Sequence, residues 1–172
     1  MHIWAKTILT SYRYLERIAD AIDEMVEKRG LYARVENSFS SSCDNVYNLY
    51  DKIIELSERK VKLINLKVLT ENALERCGES FAAILIAKYI DQKKNADIAN
   101  AYGYPLRTYF RRLEDAQNRF EEVLALNGFG EDRLDDYLKN ERWILEIKNR
   151  ISSKTGDEID VEQRYLDKLA IT

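Results

Sequence analysis

The chain has 172 residues, a third of them charged, with one proline and six glycines. That leaves room for one domain with a real core, or for a small domain plus an extended helical element, and it favours long solvated helices over a many-stranded sheet. A formal charge of −3 excludes a uniformly basic nucleic-acid coat, so any DNA-binding surface must come from where charge lies along the sequence.

The first predicted element is a helix over Trp4 to Arg29, where Trp4, Ile8, Tyr12, Leu15, Ile18, Ile22 and Met25 recur three or four apart and build one apolar stripe. Gly30 is its expected stop. A serine-rich loop at 36–44 cannot bury enough to fold alone, and Ser42 or Asp44 is placed to cap the second helix. From Asn45 to Arg76 no proline or glycine occurs. Apolar residues recur at Val46, Leu49, Ile53 and Leu56, then at Val61, Ile64 and Val68, with a step of five between Leu56 and Val61 that interrupts a strict heptad seam. This reads as the second arm of a long antiparallel helical hairpin, with Tyr47 and Tyr50 in its packing. A coiled-coil seam giving a homodimer through the long helices is the alternative. Gly78 ends the arm and Ser80 can cap a third helix, Phe81 to Asp91, which has almost no polar face and needs cover on several sides.

Asn95 then suits the N-cap of a short helix, Ala96 to Tyr102, with Asp97 in its first turn. Gly103 permits a sharp exit, and Pro105 fits the first position of a further helix from Leu106 to Phe120. Ile98 and Ala99 are expected to face inward from the first helix, and Tyr109 and Leu113 from the second. Two helices joined by so short a turn, behind an apolar helix, make a helix-turn-helix whose second helix can enter the major groove. Its other faces carry Arg107, Thr108, Arg111 and Arg112, with Arg107 and Arg111 one turn apart, while Lys93 and Lys94 stand at the entry where phosphates would lie. Between Lys88 and Arg119 seven bases face four acids, a local excess of +3 that leaves −6 on the rest of the chain.

At these residues the sequence resembles a family. Ile86-Ala87-Lys88-Tyr89-Ile90, followed by Asp97-Ile98-Ala99-Asn100-Ala101-Tyr102-Gly103-Tyr104-Pro105-Leu106-Arg107-Thr108-Tyr109-Phe110-Arg111-Arg112-Leu113, looks like region four of bacterial sigma factors. The order of segments over residues 5 to 125 is similar to that of small sigma-like proteins encoded by phages and prophages of Gram-positive bacteria. They too have a helix with Ala5-Lys6, Tyr12-Arg13-Tyr14-Leu15 and Arg17-Ile18, a serine-rich loop, a long helix and then the region-four module. The resemblance implies a DNA-binding transcription regulator of phage or prophage type, with double-stranded DNA as partner and RNA polymerase as a further one. The family usually has serine or threonine where Pro105 stands and a polar residue where Leu106 stands, so here the first exposed position of the recognition helix is apolar.

After the break at Asn127-Gly128-Phe129-Gly130, residues 128–172 read as an acidic helical extension. Trp143, Ile144 and Ile147 mark one helix from Asp132 to Arg150, and Tyr165, Leu166 and Leu169 mark a terminal piece. The expected fold is therefore all-α, in three segments: a hairpin over 1–77, a helix-turn-helix domain over 78–127, and the extension.

Catalysis is not expected. His2 is the sole histidine and lies at a terminus, no phosphate loop or GxSxG occurs, and acidic pairs such as Asp135 and Asp136 are consecutive and diverge around a helix, so neither metal nor cofactor is anticipated. Cys43 and Cys77 lack CxxC spacing, and the richest apolar run, Phe81 to Ala87, is too short for a membrane; both point to a cytoplasmic chain with reduced thiols. Two other roles compete with regulation: a phage assembly or DNA-packaging small subunit, and a helical protein–protein interaction module without DNA binding.

Overall fold

The computed structural model of the protein describes residues 2–36 and 43–153. All regular structure among them is helical: α1 Ile3–Glu36, α2 Cys43–Cys77, α3 Glu79–Leu85, α4 Asn95–Ala101, α5 Leu106–Leu126, α6 Glu131–Leu138 and α7 Arg142–Ser153, with a π-helical turn, Ile86–Ile90, continuing α3. No described helix is long and apolar enough to cross a membrane. Residues 37–42, which include Ser42, and 154–172, with Tyr165, Leu166 and Leu169, lie outside the described residues.

Two compact units divide the chain. Among the described residues, one unit takes those up to Ser11 and those from Ala73 to Ser153; the other lies within Tyr12–Asn72. The boundaries cut across the three segments expected from sequence, because the start of α1 and the end of α2 belong with the later helices.

In the unit Tyr12–Asn72 the buried side chains include Leu15, Ile18, Ala19 and Ile22 from α1 and Leu63, Leu66 and Thr70 from α2. Polar pairs step down one helix as they step up the other: Tyr12 to Glu71 at 2.7 Å, Lys67 to Glu16 at 3.1 Å and Lys60 to Asp23 at 2.5 Å. Pairs of this kind at or near the surface contribute about 1 kcal/mol or less each, so the apolar row holds the helices together and the polar pairs set their register. The Thr70 hydroxyl, fully buried, donates to the Leu66 carbonyl one turn back at 2.7 Å and leaves no unpaired group in that row.

Several sequence expectations change here. Gly30 does not stop α1, which runs on to Glu36; a glycine inside a helix costs only about 1 kcal/mol, and good helix formers flank it on both sides. Tyr47, Tyr50, Val61 and Val68 are not packed but exposed. Two apolar rows compete on α2, and the step of five after Leu56 transfers the reading from one to the other: Leu63, seven residues beyond the half-buried Leu56, is fully buried, while Val61 lies on the exposed row with Tyr47 and Ile54. α2 begins at Cys43, which puts Asp44 inside the helix and not at its cap.

In the other unit, α3 and α4 both pack on α5, and α4 also on the π-helical turn. Gly78, with φ +94°, occupies the N-cap of α3, and Ser80 lies within the helix. The expected helix over Phe81–Asp91 is split, because the Asp91 amide donates to the Ile86 carbonyl five residues back and so widens the last turn. α5 ends in a glycine cap, Gly128 at φ +82°, where Gly128 N–H reaches the Ala125 carbonyl and Phe129 N–H the Leu124 carbonyl, both at 2.9 Å. The single helix expected over Asp132–Arg150 is two. Glu141, almost fully buried, accepts the Trp143 indole N–H at 3.0 Å, and its carbonyl receives the Ile144 and Leu145 amides, which starts α7 afresh. Leu134, Leu138, Trp143 and Ile144 are buried, and Lys148 lies 4.3 Å over the Trp4 ring, so the described part of the extension belongs to this core. Cys77 is buried here as a free thiol. Burial pushes it up to about 11, against the opposing pull of Arg119.

Tyr12 supplies a test of the paired long helices. Burial first, then its hydrogen bond to Glu71, hold the phenol at about 12 against an ordinary 10.0. The folded value lies above the unfolded one, so this contribution to stability is whole below pH 10 and is lost as pH rises through about 12. Tyr12→Phe should remove one late-ionising phenol from an ultraviolet pH titration and lower stability by about 1 kcal/mol in denaturant unfolding. An unchanged titration in the variant would contradict the assignment.

Candidate nucleic-acid interface

The segment from Asp91 to Leu113 holds all five candidate DNA-contacting basic residues, Lys93, Lys94, Arg107, Arg111 and Arg112, and its geometry is fixed by three local devices. At the entry, Gln92 takes φ +54°, a left-handed conformation that costs an L-residue about 1 kcal/mol. It turns the chain so that Lys93 N–H closes on the Ala87 carbonyl at 3.0 Å. α4 then starts at Asn95 with Lys94 at the N-cap. Asn95 is therefore not the cap: its Oδ1 accepts the Tyr109 hydroxyl at 3.1 Å, tying the first turn of α4 to the first turn of α5.

At the turn, Gly103 N–H donates to Asn100 and Tyr104 N–H to Ala99, at 3.1 and 2.8 Å, which is a Schellman closure. It requires the left-handed φ of +65° that Gly103 adopts. Pro105 stands one place earlier than expected, before the helix at ψ 144°, where its carbonyl accepts the Tyr109 amide at 3.0 Å; Leu106 is the first helical residue. The pairing is sealed by Ile98 and Ala99 of α4 and by Tyr109 and Leu113 of α5, all buried.

The third device crosses the turn. Tyr102 and Tyr104 stack with ring centroids 5.9 Å apart and planes within 11°, and the Arg112 guanidinium lies 4.8 Å over the Tyr104 ring. Arg112 is thus held against the turn; its side chain and that of Thr108 are half-buried. Nothing in the sequence spacing announced this ladder, because the Tyr104–Arg112 contact joins residues eight apart across a bend and follows no helical period.

Arg107 and Arg111 point outward and are exposed, as is Lys94, and no carboxylate among the described residues engages any of the three. Lys93 is exposed and pairs with Asp91 at 3.4 Å. α5 has no acid in its first turn and no side-chain cap, so the positive end of its dipole and Arg107 add without local compensation. Beside the arginine row runs an apolar one that the sequence reading gave only in part: Leu106 and Phe110, one turn apart, are each about half exposed. Glu114 and Asp115 end the basic stretch.

Phe110 and Glu114 also line an open pocket of about 370 Å³, together with residues that include Lys6, Lys88, Asn95 and Gln117. Its wall is built by Gln117, which donates to the Tyr89 hydroxyl at 2.6 Å. His2 also lines it, bonded to Glu121 at 2.5 Å, so the terminal histidine is anchored to α5. Among the described residues no cluster of histidine, cysteine or carboxylate side chains could hold a metal ion.

No family model, curated protein or solved structure matches the chain.

The glycine turn can be tested directly. A Cβ at Gly103 would meet nothing within 4 Å, so replacement costs only the backbone term. Gly103→Ala should destabilise by about 1 kcal/mol and Gly103→Asn by less, since asparagine tolerates the left-handed region. Equal losses in thermal unfolding would show that the turn does not hold this conformation.

Proposed function

We propose that the chain is a DNA-binding regulator that performs no catalysis: a long helical hairpin carrying a sigma region-four-like helix-turn-helix, α4 and α5, with α5 as the helix that enters the major groove of double-stranded DNA. The observation that supports this most is the outward arginine row. Arg107 and Arg111 lie one turn apart at the dipole-positive end of a helix whose opposite side is locked in the core, and no carboxylate among the described residues neutralises them. Phosphate and guanine edges are the anionic and acceptor-rich partners such a row suits. Lys94, at the N-cap of α4, adds a backbone-facing cation and Thr108 a hydroxyl next to Arg107, while Arg112 braces the turn through Tyr104. RNA polymerase is the protein partner that the resemblance to sigma factors suggests for the same module.

A second reading is favoured by one specific observation. Leu106 and Phe110 are 50% and 49% exposed on the first two turns of α5, beside the arginines, and Tyr102 is 41% exposed. Such a mixed apolar and basic ridge also fits an acidic protein surface, as in an interaction module that binds no DNA.

Fluorescence anisotropy with a labelled duplex from a random-sequence pool separates the two. Regulation by DNA binding predicts an affinity that falls steeply with salt, at about 0.9 in log–log slope per phosphate engaged. Arg111→Ala should reduce that slope by about one and weaken binding several-fold. Absence of any binding at low salt would leave the protein-contact reading in its place.

A further inference from the structure

We infer that the exposed row of α2 is a self-association seam, covered in solution by the same helix of a second copy of this chain. The row consists of Tyr47, Ile54, Val61 and Val68, spaced seven residues apart, with Tyr50 beside its start. These residues are 70%, 54%, 57%, 47% and 60% exposed, respectively, and together they include most of the large apolar side chains left uncovered in the unit Tyr12–Asn72.

Three arguments identify what covers it. The first is the period. A straight helix drifts by about 20° per seven residues, so over three heptads the four side chains stay within about 60° and form one row on a single face of α2. Three of the four heptad positions hold β-branched or aliphatic Ile54, Val61 and Val68, the side chains preferred at one of the two core positions of a two-stranded seam.

The second is length. From Tyr47 to Val68 the row extends about 32 Å along the helix. α5, at 21 residues, is committed to its own core through Tyr109, Leu113, Phe120 and Leu124, and the other described helices after α2 have twelve residues or fewer. Only helices as long as α1 and α2 match the row, and a second copy supplies one that carries the same row. The contact is then self-complementary, as a two-fold interface requires.

The third is area. These five side chains leave on the order of 500 Å² of mainly apolar surface per copy, large for a patch on a monomer and enough, when doubled, to reach about the lower bound of a specific interface. The row that faces inward on α2 is a different one, including Leu63, Leu66 and Thr70, so association leaves the pairing with α1 intact.

Sedimentation equilibrium of the full chain between about 1 and 100 µM should give twice the chain mass at the upper end. Ile54→Lys with Val61→Lys should weaken the dimer at least about tenfold without loss of helical circular dichroism, because both side chains are exposed in the single chain. Val61→Lys alone should move the mass in the same direction by less, which keeps the test decisive if the double variant loses structure. A monomer at every concentration would overturn the inference, and so would a dimer indifferent to these substitutions. A chain that dimerises only after removal of residues 154–172 would also overturn it, since the row would then be the seat of the chain's own end.

Discussion

The full burial of Tyr109 at the start of α5 is the constraint on which the candidate interface depends. Its ring sits in the core, its amide is held by the Pro105 carbonyl and its hydroxyl by Asn95 of α4, so the first turn of α5 has one rotation about its axis and one distance from α4. With Leu113, Ala116 and Phe120 buried along the same side, Arg107 and Arg111 have no direction left but outward. The basic row is thus a consequence of packing and not an independent feature, and anything that loosens Tyr109 disorders the interface with it.

The turn adds a second layer of rigidity. Gly103 closes α4 by backbone bonds, and the Tyr102–Tyr104–Arg112 ladder braces the exit from outside. A surface that must present side chains to a fixed partner gains from such bracing, because less freedom is lost on binding. The Arg112 guanidinium takes part in this bracing by lying over the Tyr104 ring, whereas Arg107 and Arg111 on the same helix point outward.

How much of this was legible in the sequence depends on whether the deciding interaction was local. The starts of α4 and α5 were, to within a residue, because Gly103 and Pro105 act on their own backbone and Ile98, Ala99, Tyr109 and Leu113 fall at helical spacing, but α5 runs on to Leu126, past the expected end at Phe120. Asn95 was expected at the N-cap but is the first residue of α4 and an acceptor for Tyr109: a cap and a long-range acceptor look alike when only the residue type is known. The aromatic ladder and the anchoring of His2 on Glu121 join residues that no period relates, 119 positions apart in the latter case. On α2 the failure was ambiguity. Leu63 and Val61 are both apolar, and only the partner helix decides which row is core. The break in the extension at Glu141 was hidden for a similar reason, since a glutamate is read as solvent-facing until an indole N–H is found waiting for it.

The unit that carries α5 and the unit that carries the exposed α2 row have separate tasks in this account, one to meet a polyanion and the other to meet a second copy. The central claim is the first of these. Hydrogen exchange followed by mass spectrometry, with and without a duplex recovered from a random pool, tests it most directly. The account predicts added protection confined to peptides covering Lys93–Arg112, strongest at the start of α5. Protection elsewhere in the chain with none in this segment would contradict it.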